Sequence, residues 1–108
     1  MKKLFLQLSL IMLCFSCANN NEKKAVLSVN GTCDMCKATI EKSLEVDGIY
    51  EVNWDKKTKE LKVSYDSILI SLPTISTYIS KAGYDNELVK ASEDAYNNLH
   101  ECCKYDRE

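Results

Sequence analysis

AVLSVNGTCDMCKATIEKSLEV, residues 25–46, is the stretch on which the fold of this chain turns. Ala25 to Val29 is rich in β-formers and reads as a strand. Asn30-Gly31-Thr32 is a turn. From Cys36 to about Val46 the period changes. Cys36, Ile40 and Leu44 recur every four residues, while Lys37, Glu41 and Lys42 take the polar side, so the spacing predicts a helix. Asp47-Gly48 ends it. A strand therefore passes into a helix through Cys33-Asp34-Met35-Cys36.

Downstream, the same two periods alternate. Tyr50, Val52 and Trp54 share one face of a second strand over Ile49 to Asp55. Lys56-Lys57-Thr58-Lys59 is a polar turn, and Leu61, Val63 and Tyr65 alternate in the returning strand. Ser71 is placed to cap a second helix, with Pro73 in the first turn, where its missing N–H is harmless. Leu72, Ile75, Ile79 and Ala82 form that helix's apolar stripe, and Gly83 ends it. Tyr84 to Val89 is expected to supply a last short strand. The order β-α-β-β-α-β is that of an α+β ferredoxin-like sandwich, with a four-stranded antiparallel sheet and two helices on one face. Trp54, Tyr50, Tyr65 and Ile79 are read as core.

Upstream lies an address rather than a domain. Lys2 and Lys3 precede an apolar run, Leu4 to Phe15, broken only by Gln7 and Ser9. The run is about a dozen residues where a spanning helix needs roughly 20, so residues 1–16 read as a signal peptide. Cleavage before Cys17, which follows the small Ser16, resembles processing of a bacterial lipoprotein. Cys17 would then carry the lipid, Cys14 would leave with the signal, and residues 17–24 would be a polar tether. Secretion as a free protein is the alternative. The implied location is extracytoplasmic and periplasm-facing, anchored to a membrane by lipid.

The chain has 108 residues and a formal charge of −2; without Lys2 and Lys3 it keeps 12 basic and 16 acidic side chains. That balance argues against nucleic acid. The length suits one small domain, residues 25–90, with a tail over 91–108. A monomer is expected. No nucleophile–base pair or carboxylate dyad stands out, so the chain reads as a non-enzyme.

Six cysteines fall into three pairs. Cys33 and Cys36 stand at a helix N-terminus, where unpaired N–H groups and the helix dipole favour thiolate. Two thiolates make a soft donor set suited to Cu(I), with Hg(II), Ag(I) or Zn(II) as other cargoes. The same spacing also fits a thiol-disulfide oxidoreductase or a structural disulfide. A redox site usually faces a proline from a later strand, and Pro73, the only proline, opens a helix instead. A haem attachment would need His where Lys37 stands. The third pair, Cys102 and Cys103, follows His100 in a tail that Ser92 is placed to cap as a short helix. Tyr96, Leu99 and Cys103 share a face that would dock on the domain. His100, Cys102 and Cys103 form a further soft-donor group for metal, with a disulfide as the alternative.

Cys33-x-x-Cys36 after strand one, Ile40-Glu41-Lys42-Ser43-Leu44, Gly48-Ile49 and Ala82-Gly83-Tyr84-Asp85 together resemble the heavy-metal-associated domain family. That family includes copper chaperones, copper-ATPase metal-binding domains and the periplasmic mercury-binding protein. The resemblance covers Ala25 to Val89. It implies metal binding at Cys33 and Cys36, with Tyr84 in a loop beside the metal. It also implies sequestration of the ion, or its transfer by thiolate exchange to a metal-transporting ATPase, an efflux component or another metal carrier. A scavenger or sensor module for mercury or another soft metal is the further alternative. The chain departs from the family's G-M-T-C-x-x-C by having Gly31 where Met normally packs beneath the site. Met35 is expected to take over that packing, with a weak thioether contact to the ion as the alternative.

Overall fold

Three alternating segments pair into one antiparallel sheet: β1 (Glu22–Ser28), β2 (Ile49–Trp54) and β3 (Glu60–Asp66), in the order β1-β3-β2. The structure, a computed structural model, describes residues 21–107. The expected signal peptide, Cys14 and the lipid acceptor Cys17 lie outside the described residues. Leu27, Leu61, Val63 and Trp54 point from the sheet into one core. Helices α1 (Asp34–Lys42) and α2 (Leu72–Lys81) bury Cys36, Ile40, Ile75 and Ile79 in that same core. The opposite face of the sheet, lined by Lys24, Val26, Glu51, Asn53 and Lys62, is left uncovered by the described residues. This is the ferredoxin-like α+β arrangement, with the helices over one face.

The second helix forms where its punctuation puts it. The Ser71 hydroxyl accepts from the Thr74 N–H at 3.3 Å, and Pro73 sits in the first turn. Gly83, at φ +109°, turns the chain out through paired bonds: its N–H donates to Ser80 O, and that of Tyr84 to Ile79 O. These are the two hydrogen bonds of a Schellman ending, which needs the left-handed residue at this position.

Four details depart from the periodic reading. β1 begins at Glu22, so Glu22, Lys23 and Lys24 belong to the sheet and not to the tether; Glu22 pairs with Asp66. Helix α1 stops at Lys42, short of Val46, where the Ser43 hydroxyl bonds back to Ile40 O at 2.6 Å. Such local side-chain bonds compete with helix continuation. Tyr50 is not core: it is 48% exposed. Ile49 pairs with Tyr65 while Glu51 pairs with Ser64, so the register slips by one residue. The bulge reverses the parity, and Ile49 packs against the core in place of Tyr50.

The expected fourth strand is reduced to a single bridge, Val29 with Asn86. Asn86 itself ends the ladder. Its side-chain oxygen accepts from the Leu88 and Val89 N–H groups, and its own N–H bonds to Val89 O, folding the chain into a turn. The next rung toward β1 is made by a side chain: the Ser28 N–H donates to Glu87 Oε1 at 2.7 Å.

Lys37 and Glu41, expected to face water, instead fasten α1 to β2. Lys37 Nζ donates to Trp54 O, Asn53 Oδ1 and Glu41 Oε2, and the Trp54 N–H donates to Glu41 Oε2. β2 is an edge strand, and these side chains satisfy backbone groups that no neighbouring strand reaches.

Candidate metal centre

The turn between β1 and α1 brings two sulfurs together. Cys33 is the N-cap of α1, in extended conformation, and Cys36 is the third residue of the helix. This offset of three residues, most of a full helical turn, puts the Cys33 and Cys36 Sγ atoms 3.6 Å apart, as thiols. Cys36 is fully buried and Cys33 half-buried. The Thr32 N–H donates to Cys36 Sγ at 3.4 Å.

Beneath the turn lies Trp54, fully buried, its indole N–H donating to Val29 O at 3.0 Å. A Cβ on Gly31 would stand 2.8 Å from the Trp54 ring carbons. The space under the site is therefore filled by the indole, and residue 31 has to be glycine. Met35 does not take the packing role expected of it. It is 45% exposed, with Sδ 3.8 Å from Cys102 Sγ.

The tail closes over this turn. After α3 (Glu93–Asn97), capped by Ser92 as expected, a 3₁₀ turn (Glu101–Cys103) lies on the cysteine loop. Tyr96, Leu99 and Cys103 pack on the core, as their spacing suggests. Cys33 Sγ lies 3.9 Å from both Cys103 Sγ and Cys102 Sγ. The Thr32 hydroxyl donates to Cys102 O at 2.6 Å. The thiols of Cys33, Cys36 and Cys103 all fall within 4.8 Å of one another. His100 does not join them. It precedes the 3₁₀ turn in extended conformation with an exposed side chain, because the segment is not the continuous α-helix that its spacing to Cys103 assumed.

A clamp that the sequence did not announce holds the tail. The Tyr105 hydroxyl donates to Gly83 O and accepts from the Asp85 N–H, both at 2.8 Å. Its ring stacks near Tyr84 and meets the edge of Tyr96. Arg107 grips the buried Asp85 through Nε and Nη2 at 3.0 and 2.8 Å and donates to Ala91 O. Thr32, Tyr105 and Arg107 were missed by sequence reading. Their partners are far away along the chain, and no local pattern marks them.

Electrostatics differ among the thiols. The Cys33 thiol is lowered to about 6, chiefly by the backbone N–H of Cys36 in the first helical turn, against a smaller upward push from burial. Burial pushes the Cys103 thiol up, and the neighbouring Cys36 adds to this. The Tyr84 hydroxyl is also pushed up, by burial first and then by Cys103 and Cys36 beside it. Among the described residues it is the one buried side-chain polar atom without a hydrogen-bond partner.

Burial pushes the Asp85 carboxyl up, but the Arg107 guanidinium and the Ala91 N–H together outweigh it, leaving Asp85 below the usual aspartate range. A depressed carboxyl stabilises the folded form fully above the unfolded-state pKa, near 4. That contribution declines as pH falls through this range and is gone below the native pKa. Tail docking is therefore expected to be constant across neutral pH and to weaken under acid. Amide exchange of Ala91 and Asp85, whose N–H groups bond to the Asp85 carboxylate and the Tyr105 hydroxyl respectively, measures it against pH. Protection unchanged well below the aspartate range would contradict the clamp.

Comparisons with known proteins agree with this geometry. The sequence profile of the heavy-metal-associated domain family matches residues 26–85. The fold is similar to that of the CopZ metallochaperone, at 26% identity and a TM-score of 0.57, over 59% of this chain and 98% of that one. It is similar to oxidized MerP from Ralstonia metallidurans CH34, at 28% identity and a TM-score of 0.58, over 61% of this chain and 94% of that one. It is also similar to the yeast copper transporter domain Ccc2a, solved in apo and Cu(I)-loaded states. There the identity is 28% and the TM-score 0.55, over 64% of this chain and 97% of that one. The curated protein sequences give no match.

Proposed function

Since the chain belongs to the heavy-metal-associated domain family, whose role is heavy-metal binding or transfer, we propose that it is a membrane-anchored, extracytoplasmic carrier that holds Cu(I) between Cys33 and Cys36. The observation that carries this reading is the sulfur pair, 3.6 Å apart at the N-terminus of α1. Soft thiolates at that spacing bind a soft monovalent ion, and two of them leave room in its shell for a third sulfur. A partner's thiolate then enters as one of these leaves, so the ion moves by stepwise exchange. The partner would be a metal transporter or another carrier domain, as the names of the CopZ metallochaperone and the yeast copper transporter domain suggest. The carrier role is not catalytic. The redox alternative is less well supported, because Pro73 opens α2 and does not face the cysteines from a strand.

Anchoring rests on Cys17 and on where the described chain begins. Asn21 O accepts from the Ser67 N–H and hydroxyl, at the start of β1. β1 then runs the length of the sheet before the chain reaches Cys33. The described chain thus starts at the pole far from Cys33 and Cys36, where Ile68 and Leu69 are exposed. No helix of the described residues is long and apolar enough to cross a membrane.

Competition between the reduced full chain and a Cu(I) chelator tests the proposal. One Cu(I) per chain, retained against the chelator, is expected. A chain that releases all its Cu(I) to a weak chelator while turning over a disulfide substrate would replace the carrier reading with the redox one.

A further inference from the structure

We propose that the tail completes the metal site in cis: Cys103 is a third thiolate ligand, and the docked tail makes the site a closed, three-coordinate one for a soft ion. This rests on the Cu(I)-carrier reading above and states what governs exchange at that same site.

The geometry fits three-coordination. At a metal–sulfur distance of about 2.3 Å, an ion centred among three sulfurs spaces them about 4.0 Å apart. Cys33 Sγ stands 3.6 Å from Cys36 Sγ and 3.9 Å from Cys103 Sγ, and all three lie within a 4.8 Å span. Cys102 is not part of that group. Its exposed thiol approaches Cys33 at 3.9 Å and Met35 Sδ at 3.8 Å, on the rim. Binding forms three S–Cu bonds, and the protons still held by the three thiols pass to solvent. The resulting excess negative charge meets donors already in place. The Thr32 N–H points at Cys36 Sγ, and the buried Tyr84 hydroxyl, without another partner among the described residues, lies beside Cys36 and Cys103. A hydroxyl left unpaired in a core is costly, and a thiolate next to it would relieve that cost.

The third ligand is also held before metal arrives. The Tyr105 hydroxyl bridges Gly83 and Asp85, and Arg107 forks onto Asp85, so the chain is pinned just after Cys103, while the Thr32 hydroxyl holds Cys102 O just before it. Tyr96 adds to this from its own hydroxyl to Tyr105 O. A preordered ligand loses little freedom on binding. With the shell filled from within, a partner's thiolate must displace Cys103, and the tail must lift for the ion to leave. The exposed Cys102 is the thiol such a partner meets first.

Copper-edge X-ray absorption on the reduced full chain carrying Cys14→Ser and Cys17→Ser, loaded with one Cu(I), counts the sulfurs directly. Three are expected, falling to two in Cys103→Ser and staying at three in Cys102→Ser. Affinity against a chelator is expected to fall by at least about tenfold in Cys103→Ser, since even the outer partners of metal sites cost that much when removed. Cys102→Ser changes only an exposed side chain, so its sulfur count stands even if Cys103→Ser fails to fold. Two sulfurs in the parent chain, or a drop to two in Cys102→Ser, overturns this inference and leaves the carrier reading intact. Failure of the parent chain to retain Cu(I) overturns both.

Discussion

A chain with Cys33 and Cys36 both replaced by serine is expected to lose Cu(I) affinity by about a hundredfold or more. A serine hydroxyl is a hard donor and stays protonated near neutral pH, so among the described cysteines the variant offers the ion one buried thiol, Cys103, and one exposed thiol, Cys102. Neither replacement greatly alters volume. The fold should survive, because Cys36 is one of many buried side chains and Cys33 is only half-buried. The single variants should separate the two sulfurs. Cys33 is the hub, within 3.9 Å of the sulfurs of both Cys36 and Cys103, so Cys33→Ser should cost more than Cys103→Ser. Chelator competition on each variant, with circular dichroism to confirm folding, gives the answer. If the double variant binds Cu(I) within about threefold of the parent chain, the site lies elsewhere.

Replacing Trp54 by alanine is expected to destabilise the metal-free domain by about 3–5 kcal/mol. The indole is fully buried, so the substitution leaves a large cavity. It also strands Val29 O, which accepts from the indole N–H at 3.0 Å. A small domain has about 5–15 kcal/mol in total, so the loss is a large share of its stability. The damage should reach the site as well. The ring edge lies under Gly31, two residues before Cys33, and Lys59 reaches over the ring to donate to Gly31 O at 2.6 Å. Without that floor the loop between β1 and α1 is free to sag, and the sulfur pair loses its spacing. Urea unfolding followed by circular dichroism measures the first effect and Cu(I) competition the second. A loss below about 1 kcal/mol would mean that the core closes over the gap and that Trp54 is not the floor described here.

The amino-acid sequence by itself determined the local elements. Period-four apolar residues marked α1, Ser71, Pro73 and Gly83 marked both ends of α2, and alternation marked β2 and β3. These signals act over a few residues, so they can be read without knowing what packs on what. The CxxC at the strand-to-helix junction was legible for the same reason, since a helix N-terminus creates its own field. Tertiary structure alone decided the rest. Tyr50 left the core because a bulge reversed its parity, and the fourth strand shrank to one bridge because the Asn86 side chain closed a turn. The sulfur of Cys103 reached Cys33 across 70 residues of chain through Tyr105, Arg107 and Asp85, none of which lies in a recognisable pattern with the others. Periodicity says which side of an element is apolar. Which distant backbone group a hydroxyl or guanidinium finds depends on how whole elements pack.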